Sequence, residues 1–317
     1  MPKRVLVGYG VDVDAVSGWL NTKTGAPANL TDVSRGVFGA TVGTDRILKL
    51  FDKYGIKATF FVPAHTIESF PVGVGKIRDK GHEIGLHGYT HEHVSALTPT
   101  QERDVLAKSI QVITDFTGKK PRGWTGPHWE ASPQTIHLLE EFGLEYDHSH
   151  MHHDCQLYYL PYPPDQLIPT TCVKDPLNPD SSEEVPASTW MKPMSKLKAS
   201  SIVEVPANWH LDDWPPLQLN LRSASTHGFV DPYVVERMWR EQFDFHYREA
   251  GEEGSFVFVI SIHPQVSGKP HVTLMHERLI EYINKHKGVE WCTLEDMAKE
   301  FKEGRMSGVS VDGGVDV

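Results

Sequence analysis

The chain is poor in cysteine, with three residues in 317: Cys155, Cys172 and Cys292. An odd number at wide spacing excludes a disulfide framework and fits a reducing compartment. No apolar run approaches the roughly 18 residues of a membrane-spanning helix. Met1-Pro2-Lys3-Arg4 leads straight into a strand-like segment, without the apolar core of an export signal, so a cytoplasmic location is expected. Positive charge is in deficit: 31 Lys and Arg stand against 42 Asp and Glu, a formal net charge of −11. That balance excludes nucleic acid and an anionic membrane as main partners. There is no internal repeat, and no GxGxxG follows the first apolar run. What remains is an ordinary globular composition, 39% apolar with a mean hydropathy of −0.36, and long enough to bury a large core. The abundant residue is histidine, with 18 copies, which directs attention to metal and acid–base chemistry.

Apolar runs and amphipathic stretches alternate. Val5–Val13, Lys57–Pro63, Glu83–Gly88, Arg122–Gly126, Glu145–Ser149, Ile202–Ala207 and Phe256–Ile262 read as strands. Helices are expected over Val42–Tyr54 (closed by Gly55), Gly73–Lys80, Thr98 to about Thr117, Ser132 to Gly143, Tyr233–Arg248 and Val272–Lys287. Thr98 is a natural N-cap, Pro99 suits the first helical position, and Gln101 completes a capping box. Continuous apolar strands alternating with helices imply a parallel sheet covered by helices. Length alone fits two domains at about 150 residues each, but an α/β barrel commonly holds 200–250 in one. Seven strands favour a barrel over residues 1–303. Residues 162–188 contain six prolines and no periodicity, and read as a surface insertion. The Gly- and Ser-rich tail, 304–317, is expected to be disordered.

Asp12 and Asp14, in GYGVDVDAV, lie two apart and so share a strand face. Two carboxylates ending an apolar strand are costly unless they hold a metal or move protons. A solvated strand exit would look the same. His87 and His91, in HGYTH, follow another strand; on a helical turn this spacing puts both imidazoles on one side, as metal sites require. Alone, HxxxH is weak in a histidine-rich chain. Together, the two pairs would converge at the C-terminal face of a parallel barrel, where such barrels build active sites. Two His and one carboxylate with an open position make a hydrolytic zinc set, and the second Asp is then free to act as base. His263, after FVFVISI, occupies a third strand end and suits a general acid.

This constellation resembles the polysaccharide deacetylase superfamily (NodB-homology, carbohydrate esterase family 4). GYGVDVD is similar to its first motif, HGYTH to its second and SIHP to its last. The resemblance spans residues 4–300 and implies an irregular (β/α)7 barrel. It also implies Asp12 as base, Asp14, His87 and His91 as metal ligands, and His263 as acid. GVDVDAVSGWL, DVSRGVFGATVG, VEVPANWHLDD and LMHERLIEYINKHKGV are closest to the branch of Helicobacter-type peptidoglycan deacetylases and cyclic imide hydrolases. Allantoinases of the superfamily lack the second histidine, which is present here as His91.

The sequence departs from the family in its third motif, where RGWTGPHWE places Gly126 in the arginine position and leaves Arg122 out of register. The fourth motif, YDHSHMHHD, matches loosely through Asp147 or Asp154. Trp124, Pro127, Trp129, Glu130, Asn208 and Trp209 are candidate substrate contacts, and the tryptophans read equally well as core. His148–His153 reads as a solvated loop with one member, such as His148 or His152, facing the pocket. The expected activity is metal-assisted hydrolysis of a non-peptide carbon–nitrogen bond. Zn2+ is the expected ion, with Co2+, Mn2+ or Ni2+ able to replace it. The expected substrate is a small cyclic imide, ureide or related amide; the alternatives are an N-acetylated glycan (peptidoglycan or chitin) and an inactive carbohydrate-binding barrel. A homo-oligomer is expected.

Overall fold

The computed structural model describes residues 3–20, 27–163, 188, 191–220 and 226–315. Its strands are β1 (Arg4–Asp12), β2 (Thr59–Val62), β3 (Glu83–Leu86), β4 (Gly123–Trp124), β5 (Tyr146–Asp147), β6 (Tyr158–Pro161), β7 (Ala199–Glu204), β8 (Ser255–Ile262) and β9 (Val289–Trp291). They form one curled sheet in the order β6-β7-β5-β4-β3-β2-β1-β8, with β9 on β1. The seven strands from β7 to β8 are mutually parallel. β6 is antiparallel on the edge of β7. The gap between β6 and β8 carries no ladder. Single bonds bridge it, from Val257 N–H to the Cys155 carbonyl (3.0 Å) and from Asp213 N–H to the Ser261 carbonyl (3.1 Å). The fold is the expected irregular (β/α)7 barrel.

The period of two on β1 separates the core into two layers. Val5, Val7, Tyr9 and Val11 pack outward against helices, with Leu50, Phe51 and Leu279 in the same cluster. Leu6 belongs to an inner cluster with Phe61, Tyr146, Val203, Val205, Val257 and Val259. Large side chains fill the barrel, so Gly123 must be glycine: a Cβ there would stand 1.9 Å from the Tyr146 ring. The lower end is plugged by the helix Leu294–Lys302, which sends Leu294, Met297 and Ala298 into the inner cluster. Its first N–H groups are met by Thr59 Oγ1 (2.8 Å) and Glu83 (3.1 Å). The sequence reading missed this short helix, and with it β6, β9 and the helix Leu30–Phe38.

The longer helices lie where periodicity put them. Thr44–Tyr54 ends at Gly55 with φ 66°, and Pro99–Thr117 begins with the Thr98–Gln101 capping box. Pro232–Glu249 and Pro270–Ile283 cover the outer sheet face. The Pro-rich insertion falls mainly outside the described residues. The tail, expected to be disordered, is instead tied down along its described part. Val309 N–H bonds the Leu157 carbonyl (2.9 Å), Leu197 N–H bonds that of Gly313 (3.0 Å), and Met306 is buried. Backbone pairing needs no side-chain periodicity and so leaves no pattern in the sequence.

Candidate active site

Three strand ends converge at the top of the barrel. β1 delivers Asp12 directly, and Val13 N–H extends the sheet by bonding the Phe61 carbonyl (2.9 Å). The chain then turns through Ala15 at φ 50°, leaving Asp14 2% exposed. His87 follows β3 and His263 follows β8. The HGYTH segment is not the expected helical turn. It is a tight loop, with Gly88 at φ 68° and the Glu92 carboxylate accepting from the backbone of Tyr89 (2.9 Å) and Thr90 (2.7 Å). His91 itself sits at φ 61°, a left-handed conformation that costs a non-glycine residue about 1–2 kcal/mol. The loop brings the two imidazole centres to 4.9 Å all the same.

Asp14 Oδ1 lies 3.4 Å from His87 Nε2 and 3.6 Å from His91 Nε2. One ligand atom from each of the three residues fits within 4.8 Å of the others. His87 Nδ1 donates to the Thr125 carbonyl (2.7 Å), which turns the lone pair of Nε2 toward Asp14. Asp14 Oδ1 and His87 Nε2 are buried and have no hydrogen-bond partner. Two acceptor atoms stranded face to face in a buried site are what a cation would satisfy, so the donor set fits a divalent metal. Asp12 stands one step back, its Oδ2 at 3.9 Å from His87 Nε2 and 3.8 Å from His263 Nε2. Burial raises the Asp12 carboxyl above its ordinary range, against the opposing pull of His87 and His263. Burial acts the same way on Asp14, but the three histidines outweigh it and hold that carboxyl low. His91 is pushed down to about 4 by burial.

His263 is held by Asp213. Its Nδ1 donates to Asp213 Oδ1 (2.7 Å) and its backbone N–H to the same carboxylate (3.0 Å). Burial works against the charged ring, but the Asp213 bond and charge outweigh it and raise His263 well above its ordinary value. The loose match of Asp147 and Asp154 to a fourth motif is therefore corrected. Asp147 lies on the outer wall, where its Oδ2 accepts from His150 (2.7 Å) beside Glu204. Asp154 pairs with His153 at the surface. Asp213 was legible only as one polar residue of NWHLDD. Of His148–His153, expected to be a solvated loop with one member such as His148 or His152 turned to the pocket, both His148 and Ser149 are buried. His148 is 1% exposed inside the barrel, bonded to the Val205 carbonyl (2.7 Å) and Ser261 (3.1 Å). Ser149 Oγ accepts from Gly126 N–H (2.8 Å), anchoring the third-motif turn.

That turn forms one wall. Pro127–Trp129 is a single 3-10 turn with His128 at φ 59° and Trp129 at φ 51°. Trp129 meets Trp209 edge-to-face at 4.5 Å, and Trp209 is 42% exposed. His128, absent from the sequence reading, stacks flat on His93 (4.1 Å) and edge-on to His91 (4.3 Å). Three other expected contacts have structural duties. Trp124, 2% exposed, belongs to the core between barrel and helices and has no face to offer a substrate. Asn208 caps the turn Trp209–Leu211, accepting from His210 N–H (2.9 Å) and donating to Gln242 (3.2 Å). Glu130 accepts from Ser95 (2.7 Å) and pairs with His93 (3.2 Å), bracing the loop beyond His91. Pro127 is buried at the base of the turn. Arg122 pairs with Glu145 and Glu295, away from these carboxylates.

A strand-end acid pair, an HxxxH loop and an Asp-held histidine thus meet at one end of this barrel, with a donor set that fits a divalent metal. Known proteins agree. The polysaccharide deacetylase pattern matches residues 36–146. The chain is 46% identical to the "Peptidoglycan deacetylase" of Helicobacter pylori, over 95% of this chain and 97% of that one. It is 39% identical to the "Peptidoglycan deacetylase-like protein FGM2" of Gibberella zeae, over 94% and 87%. A solved structure named "putative polysaccharide deacetylase", from Mycobacterium smegmatis, superposes with a TM-score of 0.76 at 26% identity, covering 97% of this chain and 93% of that one. The Puue allantoinase structure shares the fold, with a TM-score of 0.71 at 22% identity over 95% and 91%. The chain belongs to the polysaccharide deacetylase family and is a deacetylase-type hydrolase of non-peptide carbon–nitrogen bonds. Among the described residues no helix is long and apolar enough to cross a membrane.

Proposed function

We propose that this protein is a metal-dependent hydrolase of a small cyclic imide, ureide or related amide. The observation that carries the reaction class is the convergence of Asp12, Asp14, His87, His91 and His263 from three strand ends, with two buried acceptor atoms left without partners. Asp14, His87 and His91 would hold the ion, with Zn2+ matching the His2Asp donor set best. A bound ion supplies Lewis acidity, polarising the carbonyl and easing deprotonation of water. Asp12 accepts the proton of the attacking water. Its burial favours the protonated product of that step. His263 Nε2, on the same side as Asp12 (3.8 Å), donates a proton to the leaving nitrogen. Asp213 keeps Nδ1 of that ring occupied, so Nε2 alone serves the substrate. Water adds across the C–N bond, giving an acid and an amine or, from a ring, one opened acid-amide.

The size of the substrate is read from access. The five groups are each no more than 6% exposed, and Trp129 and Trp209 form an aromatic wall. A small planar imide suits such a recess. An imide nitrogen is also a better leaving group than a sugar amine and asks less of the acid. The second reading, N-deacetylation of a glycan, is favoured by the names of the Helicobacter and Gibberella relatives. Turnover of succinimide-type imides and of N-acetylglucosamine oligomers, each with added zinc and with a chelator, separates the two. Zinc-dependent imide opening supports the first reading. Turnover of the oligomers alone overturns it.

A further inference from the structure

Behind Asp213 the hydrogen bonds continue into the core. Ser267 Oγ donates to Asp213 Oδ2 (2.5 Å). The same oxygen lies 2.8 Å from His276 Nε2, and His276 Nδ1 lies 3.2 Å from the Tyr9 hydroxyl. Asp213, Tyr9 and His276 are fully buried, and Ser267 is 1% exposed. His276 occupies the buried face of Pro270–Ile283 with Met275, Leu279 and Ile280, where an apolar side chain would be expected. Trp239 and Tyr9 flank its ring. A histidine in such a place is costly unless both nitrogens are bonded, and here both are. Burial also pushes it down to about 4, so the ring is neutral.

A neutral ring has one donor and one acceptor, and the neighbours decide which is which. Ser267 gives its proton to the carboxylate, the stronger acceptor, so its oxygen is left to accept from His276 Nε2–H. Nδ1 is then the acceptor for Tyr9 O–H. Every donor in the row points toward Asp213: Tyr9 to His276, His276 to Ser267, Ser267 to Oδ2, and His263 to Oδ1. This polarity pins the carboxylate from behind and leaves Oδ1 facing His263. We propose that Ser267 and His276 are positioning residues that fix the orientation and tautomer of His263 through Asp213. The proposal rests on His263 being the acid of the reaction above.

The test uses the zinc-loaded full chain with 15N-histidine, following the His263 Nδ1–H signal, assigned with His263→Gln. In the parent protein Nδ1 is expected to carry the proton and to give a strongly downfield, protected signal. Ser267→Ala and His276→Leu are expected to weaken or lose it. His276→Gln, whose amide can still donate to Ser267, is expected to retain it. With succinimide as probe, kcat is expected to fall about 10-fold in the first two variants, with KM unchanged within about twofold, and to recover in His276→Gln. An unchanged His263 signal in Ser267→Ala overturns the proposal, even if His276→Leu fails to fold. If succinimide is not turned over but the signal responds as expected, the substrate reading fails and the positioning role stands.

Discussion

Asp12 and Asp14 are chemically identical and two residues apart, yet their positions predict opposite consequences of the same change to Asn. Asp14 Oδ1 is within 3.4–3.6 Å of both ligand histidines and has no other partner. Asp12 Oδ2 is further from His87, at 3.9 Å, and as near to His263, at 3.8 Å. Asp14→Asn therefore removes the anionic ligand, and metal content falls with activity. Asp12→Asn leaves the three ligands in place and removes the proton acceptor. Loss of a general base costs about 10²–10⁴ in rate, or roughly 3–5 kcal/mol of barrel-mouth stabilisation of the transition state. The Coulomb attraction between Asp12 and a protonated His263 at 3.8 Å is about 4 kcal/mol at an effective dielectric of 20, so Asp12→Asn also weakens the hold of His263 on its proton. Zinc per chain by mass spectrometry after dialysis, and initial rates at saturating zinc, separate these effects. The expected result is near-parent zinc and a 10²–10⁴-fold lower kcat for Asp12→Asn, against sub-stoichiometric zinc for Asp14→Asn. If Asp12→Asn loses its zinc as readily as Asp14→Asn, the division of roles is wrong.

Other consequences follow from packing and charge. Gly123→Ala drives a methyl into the buried Tyr146 ring and is expected to cost about 1–3 kcal/mol, whereas Gly10→Ala, whose Cβ would meet His148 at an ordinary 3.5 Å, is expected to be mild; urea midpoints compare the two. His82 and His276 are pushed down to about 4, in both cases chiefly by burial. Each folded-state value lies below the unfolded 6.5, so the stability is present above pH 6.5 and is lost as pH falls from 6.5 toward 4. The loss is at most about 3 kcal/mol per residue. Urea unfolding at pH 7 and pH 5 should show it, and His82→Gln should flatten the dependence. Trp209→Ala removes the exposed half of the aromatic wall; KM for an imide should rise several-fold with kcat nearly unchanged, and a pure kcat effect would place the wall elsewhere.

How much of this was legible in the sequence depended on the range of the interaction. The buried apolar strand Arg4–Asp12 and the capped helix Pro99–Thr117 are local consequences of an apolar run and of capping, and they appeared where expected. Two- to four-residue strands such as β4, β5 and β6 carry too little pattern to bound. The five central groups were readable because each follows a strand and a parallel barrel gathers strand ends on one face. HGYTH reached that outcome by a different local route, a left-handed loop rather than a helical turn, since a metal site would constrain where the imidazoles stand and not the path between them.

The sequence by itself determined the strand–helix alternation, the apolar faces and the identity of the residues at three strand ends. Only the tertiary structure decided which carboxylate serves which histidine. Asp147, Asp154, Asp212 and Asp213 are indistinguishable as letters, and Asp213 is chosen because its N–H bonds Ser261 on β8, the same strand that delivers His263. The same holds for Trp124 and Trp129, five residues apart in one motif. The first is on the outward face of β4 in the core, and the second is carried by a left-handed turn to the site wall. Period and propensity act over a few residues, whereas burial and partnership are set by segments distant in the chain.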